Sequence, residues 1–347
     1  VIAADRRDGR PGRLLAVAVD GTVRHLPRAR LPSLMRRGDL VVANDAATLP
    51  ASLTGVHGPS GGAVEVRLAG WAGSGRFKAI LFGAGDHRTP TEHRAPPPRV
   101  TVGDHLVLGP LTAVVERLDG HSRLAVLRFE GGYRAFMAGL ARHGRPIQYA
   151  HVPEPLALWD VWTALAAAPV AFEPPSAGFA LRWDTLRAFR RRGVAFATLT
   201  HAAGLSSTGD PALDRRLPFD EPYRIPPGTA AMVNQAKSQG RRVIAIGTTV
   251  VLALEAAGAG GAVAAGAGMA RNRIGPDTEL RIVDAALTGM HAPGESHYAL
   301  IGAFADALRL AGITEAAEAG DYRAHEFGDS LFIERQAAVR HGVLVAP

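Results

Sequence analysis

RRVIAIGTTVVLALE, residues 241–255, decides the fold. Val243 to Ile246 form a short apolar run, as expected of a buried strand. Gly247 interrupts it, and Thr248-Thr249 open a second apolar stretch that continues to Gly258. Strand, glycine, helix is half of a βαβ unit. The theme recurs on both sides. WDTLRAFRRRG reads as a helix stopped by Gly193, followed by a strand in VAFATLT (194–200). TAAMVNQAKSQG (229–240) reads as a helix with Thr229 in the N-cap position. LRIVDAALTGMH (280–291) and HYALIGAFADALRLAG (297–312) repeat the pattern, and LALWDVWTALAAA reads as a further helix. Near the amino terminus LLAVAV (14–19) and LVVA (40–43) read as strands. Between them LPSLMRRGD puts Leu31, Leu34 and Met35 on one helical face before Gly38.

Residues 63–130 differ. AVEVRLA, RFKAILF, HLVLG, LTAVVERL and RLAVLRF are short, mostly alternating runs parted by Gly, Asp and Pro, which predicts a small all-β unit. RTPTEHRAPPPR (88–99) is a polar loop within it. The expected organisation is a discontinuous α/β region, 1–60 and 150–347, holding an inserted β-rich barrel at 61–149.

The 347 residues suffice for a large core, and 47% hydrophobic with 20% charged content is globular. The formal net charge of +7 permits a polyanionic partner, but the arginines are scattered apart from Arg190-Arg191-Arg192. The absence of Cys excludes disulfides, thiolate metal sites and cysteine nucleophiles. VIAADRRDGR lacks the apolar core of a leader, and no stretch resembles a membrane span, so a cytoplasmic location is expected.

Several stretches could carry chemistry. Gly247-Thr248-Thr249 open a helix, where free N–H groups and two hydroxyls suit a carboxylate or phosphate; capping is the plainer role. FEPPSAGFAL (172–181) offers Ser176 and Gly178 after an extended Pro-Pro. LTHAAGLSSTGD (199–210) places His201 beside Gly204, just past a strand, and DEPYRI (220–225) places Glu221 in an irregular segment. An imidazole titrating near neutrality can move a proton, or His201 is an ordinary polar loop residue; Glu221 could act as a general base or, more ordinarily, pair with one of the arginines. GMHAPGESH (289–297) has His291 and His297 around Glu295, but Pro293 and Gly294 deny it the helical spacing of a zinc motif, and no metal is expected. LVVANDAATLPASL ends a strand on Asn44 and Asp45, as a turn or as ligand-facing groups.

Taken together, RRGDLVVANDAATLPASL, GGAVEV, PPSAGF, the His201–Gly204 loop, EPYRI, VNQAKSQGRRVIAIGTTVVLALE, VDAALTGMHAPGES and EFGDSLFI run in the order found in one family. The chain resembles the S-adenosylmethionine:tRNA ribosyltransferase-isomerases of queuosine biosynthesis over nearly its whole length. The resemblance implies an α/β protein of two domains, a larger barrel-like α/β domain interrupted by a smaller β-barrel. It implies transfer and isomerisation of the ribosyl group of S-adenosylmethionine onto an aminomethyl-deazaguanine in the tRNA anticodon, releasing adenine and methionine. S-adenosylmethionine is then a co-substrate, with no permanent cofactor, and a monomer is expected. His201 and Glu221 become the proton-handling pair. Asn44, Asp45, Ser176, Gly178, Gly204, Thr248, Thr249, His291 and Asp329 become substrate-binding.

The departures suggest a diverged paralogue. Ala46 and Ala47 stand where the family has Thr-Arg, and Ser52 stands for a further arginine. PPSAGFALR replaces APTAGLHFT, Arg216 and Phe219 replace two histidines, Leu252 replaces an arginine, and a family lysine is lost around Gly294. Such losses remove bidentate anion contacts. Two alternatives therefore stand: an S-adenosylmethionine-dependent enzyme acting on a small molecule or nucleoside without tRNA, and a non-catalytic nucleoside- or RNA-binding protein.

Overall fold

The computed structural model describes residues 2–4, 12–271 and 273–336; the amino-terminal stretch read for a leader lies largely outside them. A nine-stranded sheet dominates. Its order is Gly266–Ala270, Glu221–Ile225, Ala195–His201, Leu40–Asn44, Val243–Ile246, Ala285–Gly289, Ser330–Glu334, Arg13–Val17, Val23–Pro27. The four strands from Ala195–His201 to Ala285–Gly289 are mutually parallel. They are buried on both faces, as expected of parallel strands. Leu40 and Val42 face one core with the Pro227–Ser238, Thr248–Ala257 and Ala307–Ala319 helices. Val41 and Ala43 face the other, with Leu31, Leu181 and Phe189. Parallel alignment brings His201, Asn44, Ile246 and Gly289 to one edge, the carboxyl ends of the strands.

Six antiparallel strands close into a barrel: Leu111–Leu118, Leu124–Phe129, Arg76–Phe82, Ala63–Trp71, Ser52–His57, His105–Leu108. The first in the chain begins at Ser52, ahead of residue 61. Its Gly55 gives the reason it hides in the sequence. A Cβ there would stand 2.0 Å from the Val107 carbonyl oxygen, so glycine interrupts the alternation where two backbones nearly touch. Buried Arg67 and Arg94 share the Glu65 carboxylate at 2.7 and 2.5 Å inside this unit. Phe172, Leu205, Leu213, Leu217 and Phe219 pack into the same core, joining the barrel to the α/β region.

Four local expectations change. LALWDVWTALAAA is not a helix: a 3-10 turn at Leu158–Asp160 leads through irregular chain to a strand at Ala168–Ala171. Its groups bond outward, Trp162 Nε1 to Thr48 O and the Ala167 and Ala168 N–H groups to Asp45 O, and this outcompetes local helix formation. The Pro227–Ser238 helix starts before Thr229, whose hydroxyl donates to Thr198 O instead of capping. The stretch at 31–38 is a 3-10 helix over Arg28–Leu34 that stops short of Gly38. HYALIGAFADALRLAG divides into Ser296–Ile301 and Ala307–Ala319, because Asp306 caps a second helix through the Arg309 N–H.

Candidate functional site

A cavity of about 1020 Å³ opens at the carboxyl ends of the parallel strands, between them and the barrel side. Gly247, at φ +98, turns the Val243–Ile246 strand into the Thr248–Ala257 helix, and Gly247, Thr248 and Thr249 all line the wall. Neither threonine is the N-cap; Gly247 is. The first N–H groups of a helix have no intrahelical acceptor, so this wall presents donors and a positive dipole end. Ser176 and Ala177 approach the same turn: a Cβ on Gly247 would lie 3.6 Å from Ala177 Cβ.

Glu221 is not in an irregular segment but is the first residue of the Glu221–Ile225 strand. Its carboxylate lines the cavity while only 7% exposed. The Gly204 N–H donates to its Oε1 at 2.5 Å. Burial pushes Glu221 up to about 7; the Gly204 N–H pulls the other way, and neighbouring Glu173 adds to the rise. His201 is the last residue of its strand, fully buried behind Glu221. Its Nε2 lies 3.5 Å from Glu221 Oε2, and neither ring nitrogen has a hydrogen-bond partner. Burial holds it down to about 3, so the imidazole is neutral and the contact is not an ion pair at neutral pH.

The structure sorts the other candidates. Ser176, Gly204, Thr248, Thr249 and His291 line the cavity. His291 is held by Thr288 Oγ1 at 3.0 Å and Glu295 at 3.3 Å, with its ring stacked on His297. Asn44 does not face the cavity. Its amide donates to His201 O and Thr249 Oγ1 and accepts from the His201 and Ala46 N–H groups. It is a clamp binding two strand ends to the helix start. Asp45 accepts from Thr200 Oγ1 at 2.6 Å and lies off the cavity lining. Asp329 accepts from the Arg13 and Arg323 N–H groups, tying chain segments together. Gly178 packs against Thr163 instead of the cavity. Of the family departures, Ala46 and Ala47 are buried in a strand pair with Ala168 and Pro169, and Leu252 lines the cavity.

Sequence reasoning missed Tyr149 and Glu173. Both line the cavity, and the Tyr149 hydroxyl donates to Glu173 Oε1 at 2.5 Å while the Ser206 N–H donates to Oε2 at 3.1 Å. The signal lay in FEPP, an acid set between a core Phe and two prolines. His151, His325 and Glu326 also meet at the rim, with His151 Nε2 3.0 Å from Glu326. One ligand atom from each of the three lies within 4.8 Å of the others, and the two imidazoles stack at 4.4 Å.

A family model described as "Queuosine biosynthesis protein" matches residues 3–333. Curated relatives named S-adenosylmethionine:tRNA ribosyltransferase-isomerase include that of Anaeromyxobacter sp. (strain Fw109-5), 33% identical over 93% of this chain and 92% of the relative. One from Thermus thermophilus is 32% identical over 92% of both. A solved S-adenosylmethionine tRNA ribosyltransferase from Thermotoga maritima matches 96% of each chain at 21% identity and a TM-score of 0.50.

Proposed function

The chain belongs to the queuosine biosynthesis family, and from that premise we propose that it is an S-adenosylmethionine:tRNA ribosyltransferase-isomerase. It moves the ribosyl group of S-adenosylmethionine onto an aminomethyl-deazaguanine in tRNA and releases adenine and methionine. Relatives matching over nine-tenths of the chain support tRNA as acceptor, and nothing comparable supports a tRNA-free substrate. A cytoplasmic setting fits such a substrate; among the described residues no helix is long and apolar enough to cross a membrane.

One observation carries the chemistry: the buried, proton-retaining carboxylate of Glu221 on the cavity wall, backed by a neutral imidazole. The sulfonium of the donor acidifies its C5′ protons. Glu221, once ionised, removes one. The electron pair left on C5′ breaks the C4′–O bond to give a vinyl sulfonium; adenine departs as the freed oxygen becomes the C1′ carbonyl, the acceptor amine adds at C4′, the carbanion regenerated at C5′ closes onto C1′, and the alkoxide so formed displaces methionine from C5′ to give the epoxide. His201 acts through Glu221 as a positioning residue, since it lies behind the carboxylate and off the cavity lining. Thr248, Thr249 and the helix start they occupy suit the methionine carboxylate. Proton transfer by a placed group of matched acidity contributes about 10²- to 10⁴-fold in rate.

Incubation with S-adenosylmethionine, with and without tRNA bearing the aminomethyl-deazaguanine, tests this by mass spectrometry. Adenine and methionine should form only with tRNA, which should gain mass. Release without tRNA would favour the small-molecule reading, and no release with retained ligand binding the non-catalytic one.

A further inference from the structure

Glu173 has no place in the chemistry above, yet it is set into the same cavity with its two oxygens held separately. One accepts from the Tyr149 hydroxyl and the other from the Ser206 N–H. The hydroxyl of Tyr149 also meets the Ser207 carbonyl at 3.1 Å, and its ring lies under the Arg67 guanidinium at 5.6 Å. These contacts fix the carboxylate's position without neutralising it. Among the described residues no basic side chain forms an ion pair with Glu173; of the cavity's four histidines, His151 pairs with Glu326 and His291 with Glu295, while His325 and His297 stack on them.

Glu221 and Glu326 share the cavity lining with Glu173, as do Arg215 and Arg273. Burial pushes Glu173 up to about 7, with Tyr149 and Ser206 pulling down and Glu326 adding to the rise. Glu221 is raised in part by Glu173. Glu326 and Glu295 have histidine partners, whereas Glu173 has no ion-pair partner among the described residues, so a cation arriving beside it would favour its ionised form. His201, neutral behind Glu221, adds no positive charge to this wall. It is fully buried with both ring nitrogens unpartnered, and its Nε2 is directed at Glu221 in that cluster.

We propose that Glu173, positioned by Tyr149, is the binding residue for the cationic part of S-adenosylmethionine, its sulfonium or α-ammonium. The inference rests on the functional reading above and adds the subsite that reads the donor's charge. The segment's course fits: Ala177, four residues beyond Glu173, abuts the Gly247 turn where the donor's carboxylate would lie. The two ends of a zwitterionic amino acid would then meet opposite charges on neighbouring walls.

Calorimetric titration of the wild type and Glu173→Gln at about pH 8 tests it. Three probes are used: S-adenosylmethionine, S-adenosylhomocysteine (ammonium without sulfonium) and 5′-methylthioadenosine (neither). Glutamine preserves the side chain's size and shape, and thermal unfolding verifies that the variant is folded. Glu173→Gln should weaken S-adenosylmethionine by roughly ten- to a hundredfold and leave methylthioadenosine unchanged, as for loss of a charge-assisted contact. Equal weakening of the homocysteine analogue assigns the ammonium; no weakening of it assigns the sulfonium. Unchanged S-adenosylmethionine affinity, or equal weakening of all three probes, overturns the proposal. A wild type that binds no S-adenosylmethionine would instead sink the functional reading on which it stands.

Discussion

Glu221 and His201 occupy one small volume and are shifted by burial in opposite directions, each toward its neutral form. As the acting base, Glu221 must ionise, so kcat/KM should rise with pH through about 7, and Glu221→Gln should lose about 10²- to 10⁴-fold in kcat while still binding S-adenosylmethionine. Stability follows with its own sign. The unfolded chain ionises this group near 4.5, whereas the folded chain keeps its proton to about 7. The stability it contributes is complete below the lower value and is lost as pH rises through the upper one. Glu221→Gln should therefore match the parent at about pH 4 in urea titrations and exceed it by about 3 kcal/mol at about pH 8.5. A parent and variant that part company in acid instead would contradict the assignment. His201 acts on the other limb: its neutral burial favours the fold above about 6.5, and that gain is lost as pH falls toward about 3. The sequence presented both residues as candidates. It could not show that one lies behind the other, because their contact joins the end of one strand to the start of its antiparallel neighbour. Glu173 and Tyr149 were harder still, because an acid's isolation from basic partners is a property of the folded cavity.

At the scale of elements, what was legible followed from local pattern. The parallel strands read as apolar runs and the barrel strands as alternation, and Gly193 and Gly247 marked real turns at positive φ. The illegible pieces are those whose hydrogen bonds are spent at long range. The tryptophan-rich segment gives up a helix to bond Asp45 and Thr48, and Asn44 looks ligand-facing until its amide is traced to His201, Thr249 and Ala46. The barrel's charged core shows the same dependence on distant partners. Glu65 is the shared counter-ion of two arginines exposed by 1% and 8%, and burial's upward push on it is overcome by Arg67 and Arg94. Glu65→Ala would strand both guanidinium groups in the interior and should cost about 3–5 kcal/mol. A urea titration showing less than about 1 kcal/mol would mean that water reaches the pair.

For the whole molecule, the parallel sheet and the barrel side meet around one cavity, so Glu221, Glu173 and the helix start at Thr248 come to it from segments far apart in sequence. The proposed chemistry turns on proton abstraction at C5′ of S-adenosylmethionine in this cavity. Donor carrying two deuterons at C5′ should be turned over with acceptor tRNA and the modified nucleoside weighed. The product should have lost one of the two deuterons, and should be formed by the wild type and only at a residual rate by Glu221→Gln. Product retaining both deuterons would contradict it.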